Sequence, residues 1–221
     1  MKGIIGIPTG VSSRWSVFYE SLEKLKRPDG VEVKIQRGNA VATNRNKIVE
    51  EALRLKADWV FFLDDDLIFE ENVLLRLLAR NVDAVVGLSL QRRVPFAPLA
   101  YRLENKEYRQ LNLTKEMNFL IEIDASTAGG FLVKRKVLEK INPPYFKSGQ
   151  VSTNEAGEDL YFCQKIKEAG FKLYLDLETH FGHITDFAIL PKRTNEGWRT
   201  TLIQSIPFVD IPPAGAETWK S

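Results

Sequence analysis

The chain has 221 residues, of which 44% are hydrophobic and 27% charged; that length carries a sizeable core in one domain and is short for two. Its 31 Lys+Arg against 29 Asp+Glu leave a net charge of +2, a near balance that speaks against bulk nucleic-acid binding. The single cysteine, Cys163, cannot close an internal disulfide, which fits a reducing compartment.

The opening MKGIIGIPTG holds one lysine and a short apolar run broken by Gly6 and Pro8. It is too short for the core of a signal peptide and reads as a strand over 3–7. Residues 15–26 place Phe18, Leu22 and Leu25 on one helical face. VEVKIQ (31–36) alternates like a strand. A helix follows, with Ile48, Ala52 and Leu55 on its stripe and Thr43 or Asn44 as N-cap. WVFFL (59–63) is apolar on both faces, as a central parallel strand would be. Residues 71–80 form a helix with Val73, Leu74, Leu77 and Leu78 inward, and 83–90 another strand. Such alternation predicts βαβ units in an α/β sheet. Residues 89–124 read as loops and antiparallel strands, 134–141 as a short helix, 157–170 as a helix ending at Gly170, and 171–177 as a strand. Beyond Phe187 no pattern is expected. No apolar stretch approaches the roughly 20 residues a membrane helix needs. A cytoplasmic protein without a transmembrane segment is therefore expected, with peripheral membrane contact left open.

Asp64, Asp65 and Asp66 stand side by side behind WVFFL. Neighbouring carboxylates raise each other's pKa, so something must compensate. If the strand continues through them, Asp64 and Asp66 share one side and Asp65 takes the other. Two carboxylates at that spacing hold Mg²⁺ or Mn²⁺ together with phosphate oxygens; a polar strand exit is the plainer alternative. The open α/β architecture also puts ligands beyond the carboxyl ends of strands, where these aspartates sit.

Three further stretches carry candidate chemistry. Glu158 and Asp159 begin a helix, where the macrodipole alone accounts for acids and a general base is the functional reading. His180 and His183 are the only histidines; each is structural or a third ligand for a divalent ion. Gly129 and Gly130 allow close backbone approach or an ordinary turn. No Walker A loop and no G-x-G-x-x-G occurs. Cys163 reads as core.

Taken together, IIGIPTG, TNRNKIVEEAL, FFLDDDLIF, STAGGFLVKRKVLEKI, GEDLYFCQKIKEAGFKLYLD and FGHI resemble, in order and spacing, family 2-like glycosyltransferases of the GT-A fold. The resemblance covers roughly residues 3–187. It implies a single GT-A-type α/β domain with a mixed, mostly parallel sheet flanked by helices. The expected division is a nucleotide-sugar-binding half over 1–90, an acceptor half over 91–187, and an irregular extension over 188–221. It further implies a hexosyltransferase-like enzyme with a nucleotide-diphosphate sugar donor and Mn²⁺ or Mg²⁺. Pro8, Thr9, Arg45, Asp64, Asp65, Gly129 and Gly130 match positions near the donor. Asp64, Asp66 and His183 match metal ligands, with His183 fitting better than His180. Asp159, with Glu158 beside it, matches the base of inverting members. Arg92 and Arg93 could reach a phosphate or the acceptor, or form a solvated basic loop. The acceptor, whether glycan, lipid-linked or protein, is not implied. Rival expectations are a nucleotidyltransferase, poorly supported by GIPTGVSSR, and a non-catalytic nucleotide-sugar-binding protein.

Overall fold

The computed structural model describes residues 2–10, 16–92, 94–151, 154–184, 188–203 and 208–209. Arg93 and the tail from 210 lie outside the described residues. In chain order the elements are β1 (Gly3–Thr9), α1 (Ser16–Lys24), β2 (Val31–Arg37), α2 (Val41–Arg54), β3 (Trp59–Phe62), β4 (Leu67–Phe69), α3 (Val73–Ala79) and β5 (Ala84–Leu88). Next come β6 (Ala100–Glu104), β7 (Glu107–Gln110), β8 (Leu120–Ile123), β9 (Ala125–Ser126), β10 (Phe131–Lys134), α4 (Arg135–Lys140), β11 (Gly149–Val151), β12 (Asn154–Ala156) and α5 (Glu158–Glu168). The chain closes with β13 (Leu173–Ile184), β14 (Ala188–Thr194), β15 (Gly197–Ile203) and β16 (Phe208–Val209).

The main sheet runs β16-β15-β14-β13-β5-β10-β3-β1-β2, with β4 and β8 also pairing β13. The nucleus is parallel: β1 lies between β2 and β3, all in one direction. β3 is buried throughout, as its unbroken apolar run requires. Its other neighbour, β10, is antiparallel, so the strand is central but the sheet around it is mixed.

Alternate strand residues feed two apolar layers. Ile4, Val60, Phe62 and Phe131 face α2, α4 and α5. Ile5, Ile7, Phe61 and Leu132 face α1 and α3. A helix stripe must bury against such a sheet face, and each fully buried phenylalanine, such as Phe18 or Phe162, contributes about 1.5–3 kcal/mol. Phe162 is ringed by Phe62, Phe131 and Phe146, stacking on Phe146 at 4.3 Å. Cys163 is buried in this layer, where its thiol is pushed up to about 12 by burial. Among the described residues no helix is long and apolar enough to cross a membrane.

Three differences from the sequence reading matter. Helix α2 begins at Val41, with Ala40 as N-cap, so neither Thr43 nor Asn44 caps it. Strand β13 does not stop at 177 but continues through both histidines, with a register shift between Asp176 and His180. Residues 188–203, expected to be irregular, form the β14–β15 hairpin, which extends the sheet from β13.

Candidate active site

The site lies at the carboxyl ends of β1, β3 and β5, as an open α/β sheet favours. Strand β3 ends at Phe62, and Asp65 and Asp66 form a turn before β4 reverses against β13. The expected strand alternation of the aspartates therefore does not occur. Each carboxylate instead finds its own partner, which is how three neighbouring charges are accommodated.

Asp64 accepts from Arg45 Nη2 through Oδ1 at 2.8 Å and Oδ2 at 3.0 Å. Asp65 Oδ2 accepts from Thr9 Oγ1 at 2.6 Å. Asp66 is ion-paired with Arg92, and its Oδ2 lies 3.7 Å from His183 Nε2. The backbone of the turn is pinned as well, since Ile184 N donates to Asp66 O at 2.7 Å.

Arg45 is the hub. Its side chain is 3% exposed. Besides Asp64 it donates from Nη1 to Glu158 Oε1 at 2.7 Å and to Asp159 Oδ1. Burial works against its charge, but Asp159, Asp64 and Glu158 more than offset that and hold it protonated. Residues matched to the donor side and to the base thus meet on one guanidinium. Asn44, freed from capping, donates to Thr9 O and Gly38 O, both at 3.1 Å, and so ties the end of β1 to the turn after β2. Asn46 clamps the segment around Phe146 with three hydrogen bonds, and Phe146 underlies the Arg45 guanidinium at 5.6 Å.

Helix α5 presents Glu158 and Asp159 at its first turn. Burial pushes the Asp159 carboxyl up; Arg45 pulls it down, while Asp64 and Glu158 push it further up, leaving it at about 7. A carboxyl at that value is poised to take a proton at neutral pH. Gly129 lies against Asp64, where a Cβ would meet Oδ2 at 2.9 Å. Gly130 has φ +79° and leaves room for the Phe181 ring, 2.5 Å from where its Cβ would be.

These groups surround an open cavity of about 300 Å³. Its wall includes Pro8, Arg45, all three aspartates, Gly129, Glu158, Asp159, Arg92 and His183. Thr9 is buried behind it and Gly130 is not on the wall. Ser89 and Thr127 also line it; both were missed, although Ser89 directly follows β5 and Thr127 stands two residues before Gly129. His180 is elsewhere, hydrogen-bonded to Leu177 O at 2.8 Å and edge-on to Trp198 at 5.8 Å.

Among the described residues no three acidic, histidine or cysteine side chains gather as a cation cage. The three expected metal ligands are split: Asp66 and His183 are adjacent, while Asp64 faces Arg45. The pair still fits a hard divalent ion. Asp66 Oδ1 is buried without a hydrogen-bond partner. His183 Nδ1 is bonded to Leu90 O at 3.0 Å, which leaves Nε2 turned toward Asp66. One carboxylate and one imidazole are a sufficient protein share where phosphates and water complete the shell.

Comparison with known proteins now bears on this geometry. The model of the family described as glycosyl transferase family 2 matches residues 18–142. The chain belongs to glycosyl transferase family 2. Among solved structures this family 2 chain is similar to A197 from STIV, with 24% identity and a TM-score of 0.66 over 96% of this chain and 98% of that one. GalNAc-T7, solved with UDP, GalNAc and Mn²⁺, is similar at 14% identity and a TM-score of 0.59, over 84% of this chain and 44% of that one. TarS of S. aureus is similar at 16% identity and a TM-score of 0.54, over 80% and 35%. The chain thus spans less than half the length of the latter two. At these identities the likeness establishes the GT-A fold and a mixed α/β sheet flanked by helices. No curated protein sequence matches the chain.

Proposed function

We propose that this glycosyltransferase moves a sugar from a nucleotide-diphosphate donor to an acceptor hydroxyl, with Asp159 as general base and Asp66 and His183 as ligands of Mn²⁺ or Mg²⁺. The observation that carries the reading is Asp159 itself: a carboxyl at about 7, on the wall of the cavity that also holds the Asp66–His183 pair.

The acceptor hydroxyl would give its proton to Asp159 as its oxygen bonds to the anomeric carbon. The bond from that carbon to the donor phosphate breaks, and its electrons leave with the nucleoside diphosphate. Arg45 acts through Asp159, holding it ionisable and oriented; the end of β1, held by Asn44 and the Thr9–Asp65 bond, shapes the donor side. Five carboxylates and two guanidiniums line the cavity, a balance that repels a diphosphate unless a cation accompanies it. A divalent ion bound there would neutralise charge on the departing diphosphate.

The test is a binding panel of UDP-, GDP- and dTDP-sugars with and without Mn²⁺, followed by product analysis. Stabilisation by one donor class only with Mn²⁺, and release of nucleoside diphosphate, is expected. Pyrophosphate release would make the protein a nucleotidyltransferase, and binding without turnover on any acceptor panel would make it a binding protein.

A further inference from the structure

We propose that Arg92 is a resident cation of the Asp66–His183 pair, held there until a donor diphosphate draws it off, so that a divalent ion binds the pair tightly only when donor is present. The inference deepens the reading above and rests on it.

The geometry is that of a cation site with its occupant. Arg92 pairs with Asp66 and its Nη2 lies 2.9 Å from His183 Nε2. A guanidinium only donates, so His183 Nε2 accepts and Nδ1 carries the hydrogen, given to Leu90 O. That tautomer, fixed by a backbone carbonyl, is also the one that offers Nε2 to a metal. The same carboxylate and the same lone pair therefore serve either Arg92 or a divalent ion, and not both.

Arg92 is built to leave, whereas Arg45 is built to stay. Arg92 follows β5 in the loop leading to β6, and its side chain is 44% exposed; Arg45 is 3% exposed and tied to three carboxylates. Among the described residues, Arg92 pairs with Asp66 and feels the charge of Asp64, both next to or in the acidic turn. A donor diphosphate in the cavity offers a better-matched, bidentate partner. Once Arg92 moves to it, Asp66 and His183 are released, and donor and divalent ion favour each other's binding reciprocally.

Mn²⁺ alone is titrated into the full chain, with free Mn²⁺ counted by electron paramagnetic resonance, for the wild type, Arg92→Ala and Arg92→Gln. Both variants should bind Mn²⁺ roughly tenfold tighter, the factor expected if Arg92 holds the pair in about nine of ten molecules. Adding Asp66→Asn to Arg92→Ala should abolish the gain. Equal affinity in wild type and both Arg92 variants overturns the inference, as does a gain that survives Asp66→Asn. The metal reading has its own readout, Mn²⁺-dependent donor binding by the wild type. If that dependence holds while the Arg92 variants gain nothing, the inference alone falls. If donor binding is indifferent to Mn²⁺, the metal reading falls and takes the inference with it.

Discussion

Arg45 and Asp159 form an ion pair across 114 residues of sequence, and Arg45 is almost wholly out of solvent. Truncating the cation takes the shared partner away from Asp64, Glu158 and Asp159 together. Breaking a buried pair from one side costs about 3–5 kcal/mol, so Arg45→Met should lower the melting temperature by on the order of 10 °C. A change of only a degree or two would mean the carboxylates find water instead.

The raised carboxyl of Asp159 makes two pH statements. Transfer should rise with pH through about 7 as the base form appears. Stability should run the other way. Folded Asp159 keeps its proton up to about 7, whereas the unfolded side chain releases it near 3.8. The folded state binds more protons in that window, so this group's stabilisation is full below about 4 and is lost as pH rises to about 7. Arg45, Asp64 and Glu158 are the charged neighbours that set this balance. Urea melts at pH 5 and pH 8 should show a slope that Asp159→Asn flattens.

Asp159→Asn also separates chemistry from structure. Asparagine resembles the protonated carboxyl already populated near neutrality, Arg45 keeps Asp64 and Glu158 as partners, and the lost dipole interaction is worth about 0.3–1 kcal/mol. Turnover should fall about 10²–10⁴-fold, with melting within a few degrees of wild type and donor binding kept. Near-normal nucleoside-diphosphate release would remove Asp159 as base.

The two histidines should divide by function. His183 faces Asp66, so His183→Ala should raise the Mn²⁺ concentration needed for donor binding. His180 packs on Trp198 and bonds to Leu177 O, so His180→Ala should cost stability and leave the Mn²⁺ requirement alone. Greater Mn²⁺ sensitivity in His180→Ala would put the metal reading of β13 out of register.

The paired glycines should divide too. Gly130→Ala must adopt a left-handed conformation, costing about 1–2 kcal/mol, and crowd Phe181 in the core. Gly129→Ala meets no positive φ but presses on Asp64. Denaturation should report mainly the first substitution and donor affinity mainly the second.

The parallel half of the fold was legible because its signals are local. Val31, Val33 and Ile35 alternate, WVFF is apolar on both faces, and α3 carries its leucines on one stripe. The β14–β15 hairpin was not legible, because Pro191 interrupts the strand signal and its pairing is decided by β13. The start of α2 was misread because Asn44, a good capping residue, is used to tie the end of β1 to the turn after β2. At the site the residue types were legible but their partners were not: nothing near Arg45 in sequence foretells Glu158 and Asp159. The turn at Asp65 and Asp66 likewise depends on β4 folding back on β13.

That separation has a consequence for biosynthesis. Arg45 and Asp64 leave the ribosome early, while Glu158 follows Arg45 by 113 residues. At about 5–20 residues per second the interval is on the order of ten seconds. During it, β1, β2 and β3 can zip together, but the guanidinium at their edge has only Asp64 for company. Completion of this wall of the cavity is thus a late, long-range closure, with high contact order. A nascent chain stalled before α5 would leave Phe62 and Phe131 without Phe162 to cover them, an exposed apolar face of the kind on which a holding chaperone acts.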